Sequence, residues 1–266
     1  MSFKTIDIIG ANGYIGKGFS DFLDSKGIHY RKVTRIQRLL QKEMSFRDWS
    51  STCSENICIY LADPAFLRED DYDLYESAIK RFDKAIECTR NLFVYISSSK
   101  VYLDKSKGTY SENDAKSSIL LYQKLKNRNE DKLISFLNKK YLILRIPSYV
   151  DKEPKPNTLF NKIVNSNKTG KLQLSNDYSF SYEFLFSSDF FKIILQLIKI
   201  KKISNEIFNI SSSKRVNIMD LLNPNFRYIS CPKPYTLLDN RKLLSYVKIN
   251  FKIPKYSIED NSIYWD

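Results

Sequence analysis

Tyr122 and Lys126 are the residues whose types and spacing best suit acid/base chemistry. They stand four positions apart in the segment 120–126, Leu-Leu-Tyr-Gln-Lys-Leu-Lys, so a helix there would carry the phenol and the ammonium on one face. A fixed cation favours the phenolate, which lets a tyrosine exchange a proton with a hydroxyl or carbonyl group. No other tyrosine has a lysine four positions on. Spacing alone leaves open the alternative of an exposed helix face without a function.

A second candidate site is the glycine-rich stretch 6–16, Ile-Asp-Ile-Ile-Gly-Ala-Asn-Gly-Tyr-Ile-Gly. Gly10, Gly13 and Gly16 follow an apolar run and would form a turn between a strand and a helix. Glycine allows close approach of the backbone to a ligand, and a helix N-terminus attracts anions, so the turn suits a diphosphate. Its GxxGxxG spacing differs from the GxGxxG of most dinucleotide-binding turns. A strand-to-helix turn without a ligand is the alternative.

The segments around these residues alternate between strand and helix. Apolar runs predict the strands, and amphipathic periodicity predicts the helices. In chain order the sequence predicts strands at 5–9, 29–35, 45–49 (weak), 56–62, 92–97 and 141–146, and helices at 14–26, 73–90 and 117–137. Such alternation implies right-handed crossovers and a parallel sheet that helices cover on both faces.

Prolines interrupt this pattern and predict a boundary near residue 150. Pro147 follows the strand at 141–146, and two further prolines stand at positions 154 and 156. Beyond them the sequence predicts a helix at 157–165, a strand at 181–186, a helix at 188–199, a strand at 206–210 and an irregular tail with short helices from 211. The predicted fold class is α/β, with a Rossmann-type doubly wound parallel sheet and a smaller, mixed α/β C-terminal region.

This order of elements predicts two regions with different tasks. Residues 1–150, completed by a returning helix and strand at about 188–211, form the predicted dinucleotide-binding domain. Residues 151–187 and 212–266 form the predicted substrate-binding region.

The composition narrows the range of partners. The 266 residues carry a formal net charge of +13, but the lysines are spread along the whole chain without a basic, aromatic-rich helix, so we expect a cleft for phosphates and no nucleic acid. No signal peptide or membrane-spanning stretch is evident, which predicts no membrane partner. The four cysteines form no CxxC motif and have no nearby histidine. They argue against a metal site and favour a cytoplasmic protein with reduced thiols.

Ser98 adds a third candidate group, because it lies at the C-terminal end of a predicted central strand, where open α/β sheets bind ligands. With it, the chain resembles the extended short-chain dehydrogenase/reductase family, specifically its nucleotide-sugar epimerases, dehydratases and ketoreductases. The resemblance rests on five features in order: GxxGxxG at Gly10, Gly13 and Gly16; Leu61-Ala62 ending the fourth strand; Ser-Ser-x-x-Val-Tyr at 97–102; Glu112 ahead of Tyr122 and Lys126; and Leu144-Arg145 ending the sixth strand.

The resemblance implies an oxidoreductase or epimerase with a defined set of site residues. Tyr122 would exchange a proton with a sugar hydroxyl or keto oxygen, Ser98 would hydrogen-bond that oxygen, and Lys126 would hold the nicotinamide ribose. Ser148 would join Ser98 and Tyr122 in contacting the substrate. The implied cofactor-binding residues are Gly10, Asn12, Gly13, Tyr14, Ile15, Gly16, Arg35, Asp48, Leu61, Ala62, Lys126 and Pro147. Among them, Asp48 looks like the acid with which the family contacts adenine.

Arg35 decides the predicted cofactor. The end of the second strand offers Thr34-Arg35 and no acid. An acid at this place binds the ribose 2′-hydroxyl of NAD, whereas an arginine suits the 2′-phosphate of NADP. The sequence therefore favours NADP over NAD, against the alternative of a solvated arginine.

The leading prediction is NADP-dependent reduction of a 4-keto-6-deoxy sugar attached to a nucleoside diphosphate, as in surface polysaccharide precursor synthesis. An NAD-dependent nucleotide-sugar epimerase is the alternative, although Ser148 stands where many epimerases have an asparagine. Dehydration is disfavoured because Ser99-Lys100 occupy the places of an Asp-Glu pair. A non-catalytic dinucleotide-binding sensor or scaffold is the alternative of another class. By analogy with relatives that pair through two helices, the resemblance also implies a homodimer.

Overall fold

The elements of the chain follow the alternation that the sequence predicts. The computed structural model describes residues 5–34, 43–64, 67–102, 108–156, 158–172, 174, 181–226 and 237–266. The elements are β1 (Ile6–Ile9), α1 (Tyr14–Ser25), β2 (Tyr30–Thr34), β3 (Glu43–Ser45), α2 (Phe46–Thr52), β4 (Ile57–Tyr60), α3 (Tyr72–Cys88), β5 (Phe93–Ser98), β6 (Thr109–Tyr110), α4 (Leu121–Ser135), β7 (Tyr141–Ile146), β8 (Ser148–Val150), α5 (Leu159–Thr169), β9 (Ser181–Tyr182), β10 (Phe184–Phe186), α6 (Ser187–Lys199), β11 (Glu206–Asn209), β12 (Val216–Asn217), β13 (Leu237–Leu238), α7 (Arg241–Leu244), β14 (Pro254–Ser257) and β15 (Ser262–Trp265).

Seven of these strands form one sheet in the order β11-β7-β5-β4-β1-β2-β3. The neighbouring strands β3, β2, β1, β4 and β5 pair in parallel, with Ile8 of β1 opposite Lys32 of β2 and Ile59 of β4. From β1 the chain adds β2 and β3 on one side of the sheet. It then crosses to the other side of β1 and adds β4 and β5 there. The carboxyl ends of β1 and β4 therefore flank the switch point of a doubly wound sheet, where such folds bind ligands.

Burial on both faces explains why these segments form a parallel sheet. Every residue of β1, β4, β5 and β7 is buried, so apolar side chains are required above and below the strands. On one face α3 packs Phe82 against Tyr60, with ring centroids 5.1 Å apart, and against Tyr95, at 4.9 Å. This aromatic cluster fixes α3 against β4 and β5, whose ends carry the candidate site.

Several predicted elements are wrong in part. The strand predicted at 181–186 is divided into β9 and β10, which pair with β12 and β8 respectively. The weak strand at 45–49 is mostly helix, because the Ser45 hydroxyl accepts the Asp48 N–H at 3.1 Å and so begins α2. The helix predicted over 117–137 begins at Leu121, since the Ser117 N–H bonds the Val101 carbonyl and keeps that segment extended. The tail is not wholly irregular, because β14 and β15 form an antiparallel hairpin.

The chain divides into two compact units. The first comprises Met1–Leu103, Ala115–Arg145 and Ile198–Phe208, so far as these are described, and contains the candidate catalytic residues. The second comprises Asp104–Asp114, Ile146–Leu197 and Asn209–Asp266, with the same qualification. The predicted assignment of dinucleotide and substrate binding to separate regions stays a prediction.

The second unit has a core of its own. Phe160 of α5 packs edge-on against Phe184 of β10 at 5.3 Å, and Trp265 of β15 stacks on Phe186 at 4.5 Å. Short strand pairs surround this core, among them β8 with β10 and β9 with β12. Within the described ranges, no helix is long and apolar enough to cross a membrane.

Candidate functional site

The glycine turn after β1 is shaped by close backbone packing. Gly10 has a φ of +90°, and a Cβ there would lie 2.8 Å from backbone atoms of Leu61 and Ala62, the residues that follow β4. A Cβ on Gly16 would collide with the Gly10 carbonyl oxygen. Gly13 is less confined, since its Cβ would lie 3.2 Å from that oxygen. The packing of the turn therefore explains Gly10 and Gly16, whereas Gly13 faces outward.

The start of α1 leaves this turn able to accept an anion. Gly13 is the N-cap and carries no side chain to cap the helix, and the first turn contains no acidic residue. Asn12 and Gly13 are exposed, while Tyr14 and Ile15 are half-buried. The first N–H groups of a helix need partners from outside the helix, and its dipole favours negative charge. The turn therefore fits a diphosphate group, as its sequence predicts.

Ser98 ends β5 and is held by its neighbours in the chain. Its side chain is buried, and its Oγ accepts the Lys100 backbone N–H at 3.2 Å. The adjacent Ser97 donates its hydroxyl to a Glu130 carboxylate oxygen at 2.6 Å. Ser97 is thus committed to the interior, whereas Ser98 keeps a hydroxyl proton for a further acceptor.

Helix α4 places Tyr122 in its first turn, close to the end of β5. Gln123 accepts the Leu120 N–H at 3.0 Å and donates to the Lys100 carbonyl at 2.9 Å, which joins the start of the helix to the segment after Ser98. Tyr122 is half-buried beside Leu125. The Lys100 ammonium lies 5.7 Å from the centre of the Tyr122 ring. The start of α4 and the end of β5 therefore bring Tyr122 and Ser98 to the same edge of the sheet.

Lys126 lies one turn further along α4, on the face that carries Tyr122. Its Nζ is 5.7 Å from the centre of the Tyr122 ring and donates to the Ile96 carbonyl oxygen at 2.9 Å. A second hydrogen bond, of 3.0 Å, joins Nζ to a carboxylate oxygen of Asp63. Burial lowers the pKa of Lys126, but the charge of Asp63 and that of Tyr122 outweigh burial and raise the pKa above the ordinary lysine value. Lys126 is therefore a buried cation that keeps its proton.

Asp63 is the site residue that the sequence analysis missed. It follows Leu61-Ala62, and its side chain is only 4% exposed. Besides Lys126, its carboxylate accepts the Tyr95 hydroxyl at 2.6 Å and the Asn129 amide at 3.4 Å. Burial, and then the charge of Asp63, raise the pKa of Tyr95 well above its usual value, so Tyr95 stays a neutral donor. An acid directly after a buried strand, at the carboxyl edge of a sheet, is the sequence signal that could have identified Asp63.

A second buried ion pair lies one turn beyond Lys126. Glu130 accepts two hydrogen bonds from the Arg145 guanidinium, at 3.1 and 2.7 Å, and one from Ser97. Arg145 also donates to the Tyr102 hydroxyl at 3.0 Å. Burial lowers the pKa of Arg145, but the hydrogen bonds and charge of Glu130 raise it overall. This pair joins α4 to β5 and β7 beneath the candidate site.

Other predicted site residues lie elsewhere or have partners of their own. The exposed Asp48 accepts the hydroxyl proton of Ser45, the N-cap of α2, at 2.6 Å, and its contact with adenine stays a prediction. Arg35 lies outside the described residues. Pro147 and the exposed Ser148 belong to the second unit, and their binding roles also stay predictions. Among the described residues, no group of three or more His, Cys, Asp or Glu side chains could hold a metal ion.

Comparison with known proteins identifies structural relatives. No protein-family model and no curated protein sequence matches the chain. Solved structures do, among them a UDP-glucuronic acid 4-epimerase from Bacillus cereus in complex with UDP-glucuronic acid and NAD, at 20% identity and a TM-score of 0.74 over 97% of this chain and 96% of the other. A UDP-N-acetylglucosamine 4-epimerase from Methanobrevibacter ruminantium M1 has 15% identity and a TM-score of 0.77, with 94% of each chain covered. The dTDP-glucose 4,6-dehydratase of Bacillus anthracis str. Ames, in complex with NAD, has 13% identity and a TM-score of 0.74 over 91% of this chain and 90% of the other.

These similarities confirm the predicted fold class. The chain has the Rossmann-type fold of nucleotide-sugar epimerases and dehydratases of the extended short-chain dehydrogenase/reductase type, which its sequence resembles. At these identities the likeness concerns the fold, and the activity has to be argued from the site.

Proposed function

We propose that the chain is an NAD-dependent epimerase of a nucleotide-linked sugar. The observation that carries this proposal is the Lys126 ammonium, held by the Ile96 carbonyl at the end of β5 and 5.7 Å from the Tyr122 ring. The Lys126 ammonium and the glycine turn, whose helix has no side-chain cap, lie at the same carboxyl edge of the sheet. Structural relatives named as 4-epimerases, one of them with NAD and a UDP sugar, support this activity over others of the same fold.

The residues of the turn would hold the dinucleotide. The exposed start of α1 presents the positive end of the helix to a diphosphate, because its first turn contains no acidic residue and Gly13 has no side chain to obstruct the ligand. The backbone of Leu61 and Ala62, which follow β4, packs against Gly10 beside this turn. When bound, the nicotinamide group supplies reversible oxidation of a sugar carbon.

Proton transfer would be the task of the side chains at the end of β5 and the start of α4. Tyr122 takes the proton of a sugar hydroxyl during oxidation and returns it to the keto oxygen during reduction. Ser98 donates a hydrogen bond to the same oxygen and fixes its place. Lys126 stabilises negative charge on the Tyr122 oxygen and has one N–H left for a ribose hydroxyl.

NADP-dependent reduction of a nucleotide-linked 4-keto-6-deoxy sugar is the second candidate. It is favoured by Arg35 and by the absence of an acid at the end of the second predicted strand. Structural relatives with a dinucleotide in their names carry NAD, which favours the epimerase. A nucleotide sugar is the substrate in both cases, and the homodimer stays a prediction.

The test compares the two reactions with purified protein. Epimerisation of UDP-glucuronic acid and UDP-N-acetylglucosamine is followed by chromatography after addition of NAD. Reduction of a nucleotide-linked 4-keto-6-deoxy sugar is followed by the absorbance of NADPH or NADH. We expect Tyr122→Phe to lower turnover about 10²- to 10⁴-fold while dinucleotide binding is retained. Tyr75→Phe, which alters another tyrosine of the same apolar cluster, should leave turnover unchanged.

Each outcome separates the alternatives. Turnover only of the keto sugar, with a preference for NADPH, would replace the epimerase with the reductase. Equal turnover by wild type and Tyr122→Phe would refute both proposed mechanisms. Dinucleotide binding without turnover of any substrate would favour the non-catalytic sensor or scaffold.

A further inference from the structure

The Asp63 carboxylate is buried in the candidate site, directly after Leu61-Ala62. Its side chain is 4% exposed, and that of its partner Lys126 is 7% exposed. Tyr95 and Asn129 also donate to it, so the carboxylate is held from β5 and from α4. A buried charge is tolerated when it is paired and hydrogen-bonded in this way.

The hydrogen bonds of Lys126 define what Asp63 does. A lysine ammonium has three N–H donors. One N–H bonds Asp63 at 3.0 Å and a second bonds the Ile96 carbonyl at 2.9 Å. Asp63 follows β4 and Ile96 lies in β5, so two neighbouring strands together fix the position of Nζ. The third donor has no partner among the residues that the structure describes, so it remains for a ligand.

We infer that Asp63 is a positioning residue, which anchors the Lys126 ammonium beside Tyr122 and leaves it a single N–H for a hydroxyl group of a bound ribose. The contact of Lys126 with a ribose rests on the proposed function, whereas the hydrogen bond between Asp63 and Lys126 does not. Lys126 would thus donate one hydrogen bond to the ribose, and it would not bind two ribose hydroxyl groups at once. Its charge would be shared between Asp63 and the Tyr122 oxygen.

Other charged and titratable groups near this pair cannot take over from Asp63. Glu130 faces Lys126 from the same helix, but its carboxylate is already bonded to Arg145 and Ser97. Around the pair of Lys126 and Asp63, α3 contributes the Arg81 guanidinium, which donates to the Ala62 carbonyl. Strand β5 contributes Tyr95, and Lys100 follows that strand. Helix α4 contributes Tyr122 and Glu130. Without Asp63, Lys126 would be a buried cation with no carboxylate bonded to it, and its pKa would fall.

The experiment measures the ionisation of Lys126 directly. Protein labelled with carbon-13 at the lysine side chains is titrated by NMR, and the Lys126 signal is assigned by its loss in Lys126→Arg. In wild type we expect Lys126 to keep its proton beyond the pH at which an ordinary lysine loses it. In Asp63→Asn we expect the midpoint to fall by about 2 pH units. Dinucleotide binding, measured by fluorescence at alkaline pH, should weaken about tenfold in that variant, because the uncharged amine bonds a hydroxyl group less strongly.

Controls distinguish positioning from general structural damage. Asp83→Asn removes another partly buried acid between α3 and α4, whose partner is Arg128, and should leave the Lys126 midpoint unchanged. Asp63→Glu keeps the charge and should keep the raised midpoint. An unchanged midpoint in Asp63→Asn would overturn the inference. Should that variant not fold, a wild-type midpoint at or below the ordinary lysine value would overturn it as well. If wild type binds no dinucleotide, the proposed function fails, but the titration still decides whether Asp63 anchors Lys126.

Discussion

Two buried ion pairs meet α4 one turn apart. Lys126 pairs with Asp63 at the open edge of the sheet, and Glu130 pairs with Arg145 beneath it. In the second pair both side chains are at most 2% exposed, and Arg145 is bonded through Nε and both terminal nitrogens. In the first pair, over the ranges that the structure describes, one N–H of the ammonium has no partner. All three nitrogens of Arg145 thus bond within the protein, whereas Lys126 keeps an N–H that can bind a ligand.

The choice of cation is the second difference between the pairs. An arginine keeps its charge at any pH that a protein experiences, whereas a buried lysine can lose its proton when its counter-charge is removed. Loss of Glu130 would therefore leave a permanent buried charge. At alkaline pH, loss of Asp63 can be relieved by deprotonation of Lys126. We conclude that Glu130 and Arg145 are suited to stability, and that Asp63 and Lys126 are suited to a charge that responds to its surroundings.

The largest effect on stability is expected for Glu130→Gln. The change leaves the guanidinium of Arg145 buried without a counter-charge, which should lower the free energy of unfolding by about 3–5 kcal/mol. Urea denaturation at neutral pH measures this loss. At the same pH, Asp63→Asn should cost less, about 2.7 kcal/mol, which corresponds to the expected fall of about 2 pH units in the Lys126 midpoint.

A double variant tests the cause of that loss. Glu130→Leu combined with Arg145→Met removes both charges together, and it should be more stable than Glu130→Gln alone, since paired replacement of a buried ion pair is often close to neutral. A greater loss of stability in Asp63→Asn than in Glu130→Gln would contradict the division of tasks between the two pairs.

Local sequence patterns predicted most of the first unit. The run of apolar residues before Gly10 predicted β1 and the turn, and Tyr141–Ile146 was predicted to the residue, because buried parallel strands are recognisable as continuous apolar runs. The spacing of Tyr122 and Lys126 correctly predicted a shared helix face. The start of α2 had a local signal as well, in the spacing of Ser45 and Asp48, but we predicted a strand there.

Contacts between distant parts of the chain account for what the sequence did not reveal. Asp63 binds groups that lie 32, 63 and 66 positions further along the chain, at Tyr95, Lys126 and Asn129, and no local spacing encodes such a cluster. The hairpin of β14 and β15 depends similarly on Trp265, which packs against Phe160 of α5. Only the folded sheet and core bring these residues together.

Glu183 in the second unit shows what happens to a buried carboxylate without a cation. Within the part of the chain that the structure describes, its bonded partners are neutral donors, namely the Ser211 hydroxyl and the backbone N–H groups of Ser212, Ser213 and Leu238. Burial raises the pKa of Glu183 from 4.5 to about 7, although these hydrogen bonds act against the rise. Glu183 therefore binds a proton in the folded protein under conditions in which an unfolded chain has lost it.

This raised pKa predicts a loss of stability as the pH increases. The folded state binds more protons than the unfolded state between about pH 4.5 and 7, so the contribution of Glu183 is fully present below that window and is lost through it. Relative to wild type, Glu183→Gln should gain on the order of 3 kcal/mol across the window, because the amide stays neutral. Urea denaturation of both proteins at several pH values measures the difference. A difference that does not change with pH would show that Glu183 is not protonated in the fold.

The smallest effect is expected for the pair that joins α3 to α4 nearer to solvent. Arg128 donates to both carboxylate oxygens of Asp83, at 2.6 and 2.5 Å, but the two side chains are 29% and 28% exposed. Water can replace a lost partner there, so Asp83→Asn should lower the free energy of unfolding by no more than about 1 kcal/mol. The loss should shrink further in concentrated salt, which screens exposed charges. A salt-independent loss as large as that of Glu130→Gln would mean that exposure does not separate the ion pairs of α4, and that the geometry of the bidentate contact governs their strength instead.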